Sequence, residues 1–258
     1  MSGYAVSLLF SFGSIKLKKM LKRRTGKDMK LLGLQKLTLL DYPGKMACTV
    51  FTGGCNFRCP FCHNASLVVN PQEQDVLPTE DFFTFLAGRK GLLDGVCVSG
   101  GEPLIQPDIE EFITRIKKMG FLVKLDTNGS YPETLKALMD KKLVDYVAMD
   151  IKNCQENYFK TSGTSKIAMK RMETSVNLLE QGLVPYEFRT TVVRELHTGE
   201  DFEKISQWLR PNSPYFLQGF VDSGDIIGVG FTGYKKEEME KFVKILRKTM
   251  KNVEIRGM

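Results

Sequence analysis

Three cysteines share one short stretch, Cys55-Asn-Phe-Arg-Cys59-Pro-Phe-Cys62, followed by His63 and Asn64. Three residues and then two separate successive thiols. Three thiolates can hold three corners of a four-iron, four-sulfur cluster and leave one iron without a protein ligand. A cluster closed by four cysteines mostly moves electrons. A metal with an open position can instead bind and activate a substrate, which is the logic of catalytic zinc. The rival reading is a zinc ion with His63 as fourth ligand. His63 directly follows Cys62, however, and zinc motifs usually come as spaced pairs. His197 could join such a site only through a long-range contact. The spacing favours a reactive iron–sulfur centre.

Such a centre needs partners, and these stand at regular places along the chain. After residue 40, strand-like and helix-like segments alternate: strands are expected at 46–51, 95–99, 121–125, 145–149, 184–193 and 215–220, with a short last one at 253–255. Helices are expected at 79–93, 108–119, 166–180, 201–209 and 235–250, and one running to Met139 behind a capping-box spacing, Ser130-Tyr-Pro132-Glu133. Gly120 and Gly182 are natural helix stops. The alternation implies a parallel sheet with right-handed crossovers in a single α/β domain of about six βα units. A doubly wound open sheet would produce the same rhythm.

The unusual polar residues fall where those strands end. The cysteine loop follows the first, Gly100-Gly101-Glu102-Pro103 the second, and Asp126-Thr127-Asn128 the third. Asp150-Ile-Lys152 ends the fourth, Arg189 lies in the fifth and Gln218 in the sixth. Parallel strands present their carboxyl ends on one side, so these groups can converge, which favours a partial (β/α)6 TIM-like barrel. Glycines let backbone approach a ligand, and Glu102 can fix an amino group. Asp126 and Asp150 can share a cation or a ribose. Lys152 and Arg189 can neutralise a carboxylate. Phe61 is a candidate apolar wall.

Charge and composition narrow the partners. The net charge is +7, from 37 Lys and Arg against 30 Asp and Glu. Eight of the basic residues and one acid, Asp28, lie in residues 1–30, so 29 of each sign remain in 31–258. A neutral body speaks against nucleic acid as partner. The leading segment 1–30 is expected to be an extension outside the fold; a basic arm touching a membrane surface or a partner is the other reading. Its apolar stretch precedes its basic cluster, the reverse of a secretory signal. No apolar run suggests a membrane span. A cytoplasmic location follows, where clustered thiols stay reduced and free for metal. Cys48, Cys97 and Cys154 are scattered beside apolar runs and are expected in the core.

Cys-x3-Cys-x2-Cys followed by Gly-Gly-Glu-Pro at a second strand end resembles the radical S-adenosylmethionine superfamily, and the resemblance covers nearly all of 31–258. More narrowly, Asp41-Tyr-Pro-Gly-Lys45, Phe51-Thr-Gly-Gly-Cys55, Cys62-His-Asn64, Asp126-Thr-Asn-Gly129 and Met149-Asp-Ile-Lys152 resemble the glycyl-radical-enzyme activating proteins. Among these, the Asp-Tyr-Pro-Gly-Lys sequence is most like the activating protein of anaerobic ribonucleoside-triphosphate reductase.

The resemblance implies a [4Fe-4S] cluster on Cys55, Cys59 and Cys62, with the fourth iron chelating the amino and carboxylate groups of S-adenosylmethionine. It implies Gly100, Gly101 and Glu102 at the methionine amino end, Lys152 and Arg189 toward its carboxylate or ribose, and Phe61 and His63 beside the adenine. It also implies a monovalent cation at Asp126, Thr127, Met149 (through its carbonyl) and Asp150. Where pyruvate formate-lyase activating enzyme has a histidine on its sixth strand, this chain has Gln218. The implied activity is reductive cleavage of S-adenosylmethionine to a 5′-deoxyadenosyl radical. That radical takes a hydrogen from a glycine of a partner glycyl radical enzyme, with flavodoxin or ferredoxin as electron donor. Two alternatives stand beside it: a radical enzyme acting on a small molecule or nucleobase, and a noncatalytic zinc module holding nucleic acid.

Overall fold

The computed structural model describes residues 29–165 and 168–258. The expected extension therefore lies outside the described residues up to Asp28. Met29, at the start of the described residues, is buried, and its N–H donates to Asp108 Oδ2 at 2.9 Å.

Among the described residues, eight strands form one sheet in strictly sequential order. They are β1 (Leu31–Thr38), β2 (Ala47–Thr52), β3 (Gly95–Gly100), β4 (Leu122–Thr127), β5 (Tyr146–Asp150), β6 (Tyr186–Val192), β7 (Tyr215–Gly219) and β8 (Val253–Arg256). β1 is antiparallel to β2, and every later pair is parallel. A doubly wound sheet reverses its order at a switch point. An order that never reverses sends each right-handed crossover over the same face, so the helices form one layer outside a curved sheet. That decides for the partial barrel. β1 is absent from the sequence expectation because it is a half-exposed edge strand without clean alternation.

The helices are α1 (Ala65–Val69), α2 (Thr79–Ala87), α3 (Ile109–Lys118), α4 (Pro132–Asp140), α5 (Tyr158–Ser162), α6 (Met169–Leu179), α7 (Gly199–Trp208) and α8 (Lys236–Leu246). In α3, Ile109, Phe112, Ile113 and Ile116 make one buried stripe, with Glu110 and Glu111 in the first turn and Arg115, Lys117 and Lys118 in the last, as the helix dipole favours. α2 stops at Ala87, with Gly88 as its cap, well before residue 93. The capping box at Ser130 does not form. Tyr131 is the N-cap of α4 without a side-chain bond, Pro132 takes the first turn, and the Ser130 hydroxyl turns to Asn128.

Strand alternation sorts the residues by face. Val50, Val96, Val98, Val123, Leu125, Val147, Met149, Phe188 and Leu217 join the core packed against the helices. Their neighbours Ser99, Asp126, Asp150, Arg189, Thr191 and Gln218 line a cavity inside the barrel. A barrel interior is ordinarily filled by branched aliphatics. Here its upper layer is charged.

Candidate active site

The chain leaves β2 and enters the cysteine loop, which is clamped from several sides. Arg58 Nη1 donates to the carbonyls of Cys55 (2.6 Å) and Phe57 (2.7 Å), closing the loop on itself. The Arg58 N–H bonds the Ser162 carbonyl at the end of α5 (2.8 Å). Gly163 follows with φ +67°, and a Cβ there would lie 1.8 Å from the Arg58 carbonyl oxygen, so only glycine fits. On the other flank the segment after β7 reaches over. Gly228 N–H donates to the Pro60 carbonyl (2.7 Å), and the Asp225 carboxylate accepts from the Ser66 amide (3.1 Å) and hydroxyl (2.8 Å) at the start of α1.

Cys55, Cys59 and Cys62 all border one cavity, together with Phe61, His63, Asn64, Gly100, Gly101, Thr127, Asn128 and Lys152. Burial pushes the Cys55 thiol up to about 12 and the Cys59 thiol up to about 11, and it raises Cys62 as well. Iron binding would therefore displace protons from all three. Among the described residues, no three His, Cys, Asp or Glu side chains are grouped to hold one metal ion. Three thiols bordering one cavity can each take a different iron of a cluster. Neither histidine is free to complete a zinc site. His63 Nε2 donates to the Val221 carbonyl (2.8 Å) while its ring stacks on Phe220, 5.2 Å between centroids. The buried His197 donates from Nε2 to the Lys152 carbonyl (2.8 Å) and accepts the Val193 N–H at Nδ1 (3.1 Å). Its ring meets Phe61 edge-on at 6.3 Å, which fixes that phenylalanine as a wall of the cavity.

Gly100 has φ +117°, and a Cβ there would meet Thr52 backbone at 2.3 Å. A Cβ on Gly101 would come within 1.9 Å of the Gly54 carbonyl oxygen. These two glycines let the end of β3 cross directly behind the cysteine loop. Glu102 does not follow them into the cavity. It is wholly buried, its Oε1 accepting from Leu104 N–H (3.0 Å) and Thr127 Oγ1 (2.8 Å), and its Oε2 from Asn128 N–H (2.7 Å). Burial pushes its carboxyl up to about 7 against those three bonds. The expected contact to an amino group is corrected accordingly: Glu102 positions the Thr127–Asn128 turn.

Across the strand ends runs a chain of charges. Arg189 donates from Nε to Asp150 Oδ1 (2.7 Å) and lies with Nη2 3.1 Å from Asp126 Oδ2. Lys152 Nζ bonds Asp150 Oδ2 (2.8 Å), the buried Lys124 ammonium bonds Asp126 Oδ1, and Ser99 Oγ donates to Asp126 Oδ2 (3.1 Å). Burial by itself would raise both carboxyls, but for Asp150 the Lys152 and Arg189 charges outweigh it, and for Asp126 those of Arg189 and Lys124 do, so both stay below the usual carboxylate range. Two carboxylates against three cations leave the wall net positive, which suits an anionic end of a ligand. Met149 points the other way, its side chain under Gly129 in the helix-facing core, and Thr127 Oγ1 is bonded to Glu102.

Gln218 does line the cavity. Sequence reasoning gave no role to Lys124, Ser99 or Asn64, and placed Asn128 at a strand end without a role of its own. A lysine between Val123 and Leu125 in an apolar strand was the available signal for the first. Asn64, whose Nδ2 donates to the Gly100 carbonyl (2.8 Å), and the others look like ordinary loop polars until the loops meet. Cys97 is buried as expected, and its sulfur lies 4.0 Å from Lys124 Nζ.

Residues 49–209 match the family model described as the Radical SAM superfamily. The chain belongs to that superfamily. A protein of Methanocaldococcus jannaschii, MJ1227, named for a glycyl-radical enzyme activating role, is 32% identical over 231 residues, 87% of this chain and 94% of its own. The pyruvate formate-lyase-activating enzyme of Staphylococcus aureus is 31% identical over 139 residues, 48% of this chain and 53% of that one. Among solved structures, a domain of pyruvate-formate lyase-activating enzyme from Bacteroides vulgatus superposes with TM-score 0.52 at 17% identity, covering 63% of this chain and 99% of that chain. The anSMEcpe structure with bound AdoMet superposes with TM-score 0.57 at 17% identity, covering 79% of this chain and 61% of that chain. The radical SAM family implies a [4Fe-4S] cluster and S-adenosylmethionine, and the three thiols around a net-positive cavity fit both.

Proposed function

We propose that this radical SAM enzyme is a glycyl-radical-enzyme activase, with an anaerobic ribonucleotide reductase as its protein substrate. The observation that carries the reading is the near full-length match, on both sides, to a relative named for that role. The Asp41–Lys45 sequence supports the reductase as partner. When bound, the cluster and S-adenosylmethionine supply an electron and a hydrogen-abstracting 5′-deoxyadenosyl radical.

The chain's own residues then have defined work. Cys55, Cys59 and Cys62 would hold the cluster. Lys152 and Arg189, already oriented by Asp150 and Asp126, would meet the methionine carboxylate. The Gly100–Gly101 backbone would serve its amino end, with Phe61 and His63 beside the adenine. A sheet that stops at β8 without pairing to β1 leaves a side open for a peptide loop. A monovalent cation at Asp126, Thr127, Met149 and Asp150 would have to draw Asp126 from Lys124. Cleavage that is indifferent to sodium and potassium would remove the cation from this scheme. The electron donor is proposed to be a flavodoxin or ferredoxin.

The test is anaerobic reconstitution with iron and sulfide, then reduction with S-adenosylmethionine present. The expected products are methionine and 5′-deoxyadenosine, and, with the reductase added, a glycyl signal in electron spin resonance. Nucleoside formed without a glycyl signal on any glycyl radical enzyme would move the assignment to a small-molecule or nucleobase substrate.

A further inference from the structure

Behind the cysteine loop, three side chains close a ring. Asn128 Nδ2 donates to Asn56 Oδ1 (3.0 Å), Asn56 Nδ2 donates to Ser130 Oγ (2.9 Å), and Ser130 Oγ donates to Asn128 Oδ1 (2.5 Å). The Ser130 N–H donates to the same Asn128 Oδ1 at 2.9 Å. Two donors on Oδ1 fix the Asn128 amide, so its NH2 must face the cysteine loop. There it also reaches Cys55 Sγ at 3.8 Å, alongside the Phe57 N–H at 3.3 Å. The Asn128 main chain is held independently by Glu102. The Cys55 thiol can donate to Asn56 Oδ1 (4.0 Å), but a thiolate can only accept, and Asn128 Nδ2 and Phe57 N–H are then the donors facing it.

We infer that Asn128 is a positioning residue that donates a hydrogen bond to the Cys55 thiolate and thereby sets the reduction potential of the cluster. Donors to cluster sulfurs stabilise the more negative, reduced state. The ring holds the donor at the thiolate whether or not a cofactor is present, because its three bonds lie wholly within the protein. The inference rests on the cluster reading above, and the experiment separates the two.

Wild-type, Asn128→Ala, Asn128→Asp and Ser130→Ala proteins are reconstituted, assayed for iron and sulfide, and titrated potentiometrically under electron spin resonance. The expected result is wild-type iron content and a downward shift in Asn128→Ala of about tenfold in the reduction equilibrium, 59 mV for one electron. Asn128→Asp should shift further, because it places a carboxylate oxygen at the sulfur. Ser130→Ala, which opens the ring but keeps the donor, should shift by less than half as much. An unchanged potential in Asn128→Ala would overturn the inference. So would loss of the cluster from both Asn128 variants, or an equal shift in Ser130→Ala, since the ring would then act only on loop shape. Failure of the wild-type protein to take up iron would instead sink the cluster reading itself.

Discussion

Arg189 bonds two carboxylates from two different strands, and its removal strips one donor from each, leaving Asp126 to Lys124 and Asp150 to Lys152. Taking one partner from a buried ion network costs more than the network contributes, because the remaining charges stay desolvated. Arg189→Met should therefore destabilise the cluster-free protein by on the order of 3 kcal/mol in denaturant melts. A change below 1 kcal/mol would mean that water already solvates Asp126 and Asp150. At the same scale, Cys59→Ala should abolish both iron uptake and S-adenosylmethionine cleavage, whereas Cys97→Ala, away from the cavity, should keep the iron content of the wild type. Equal iron loss in the two would break the ligand assignment. That the three loop cysteines would come to one cavity was legible from their spacing, since the motif lies within one loop. Lys124 was not, because a lysine in a strand acquires meaning only when the strand's facing is known.

At the level of elements, turns deliver the site more than helices do. Gly101 and Gly163 sit where backbone passes backbone, against Gly54 and Arg58 respectively. Both contacts are to main chain, which cannot swing aside as a flexible side chain can. Gly163→Ala should push α5 away from the cysteine loop. The expected outcome is a folded protein, with unchanged far-ultraviolet circular dichroism, that binds at most half the wild-type iron. Full iron binding by this variant would show that the α5 contact does not hold the loop. Strands β2 to β8 and most helices were predictable from period and glycine stops. β1 and the ends of α2 and α4 were not. β1 buries only Leu31 and Thr38, at its two ends, too little to impose alternation, and at α4 the capping hydroxyl found a better partner in Asn128.

Taken as a whole, the molecule has a charged upper layer inside a barrel whose outer face is apolar, and its response to pH follows. The Glu102 carboxyl, pushed up by burial to about 7, is raised above its ordinary value, so the folded state binds its proton first. Its ionised form opposes folding, and that opposition fades as pH falls from 8 through 7 toward the usual glutamate range. The buried His197 works in the opposite direction: burial lowers it, so stability is lost as pH falls below its ordinary 6.5. Comparing variants isolates the first effect. The melting temperature of the wild type relative to Glu102→Gln should rise between pH 8 and pH 5, by at most about 3 kcal/mol in stability. A flat difference would mean the carboxyl is not raised. Asp126 and Asp150, both held low, contribute stability above the usual carboxylate range and lose it only in stronger acid. Among the described residues, no helix is long and apolar enough to cross a membrane.

The sequence by itself determined the ligand loop, the alternation of strands and helices, and the placement of polar residues at strand ends, because each depends on neighbours a few residues away. Tertiary structure decided which way those residues face. Period two sends Asp126, Asp150 and Arg189 into the barrel and Met149 out of it, and sequential strand order excludes the doubly wound alternative. The close crossing of loops turns Glu102 from the cavity and brings Asn128, with 72 residues between them, onto Cys55. Long-range approach of that kind leaves no local pattern to read.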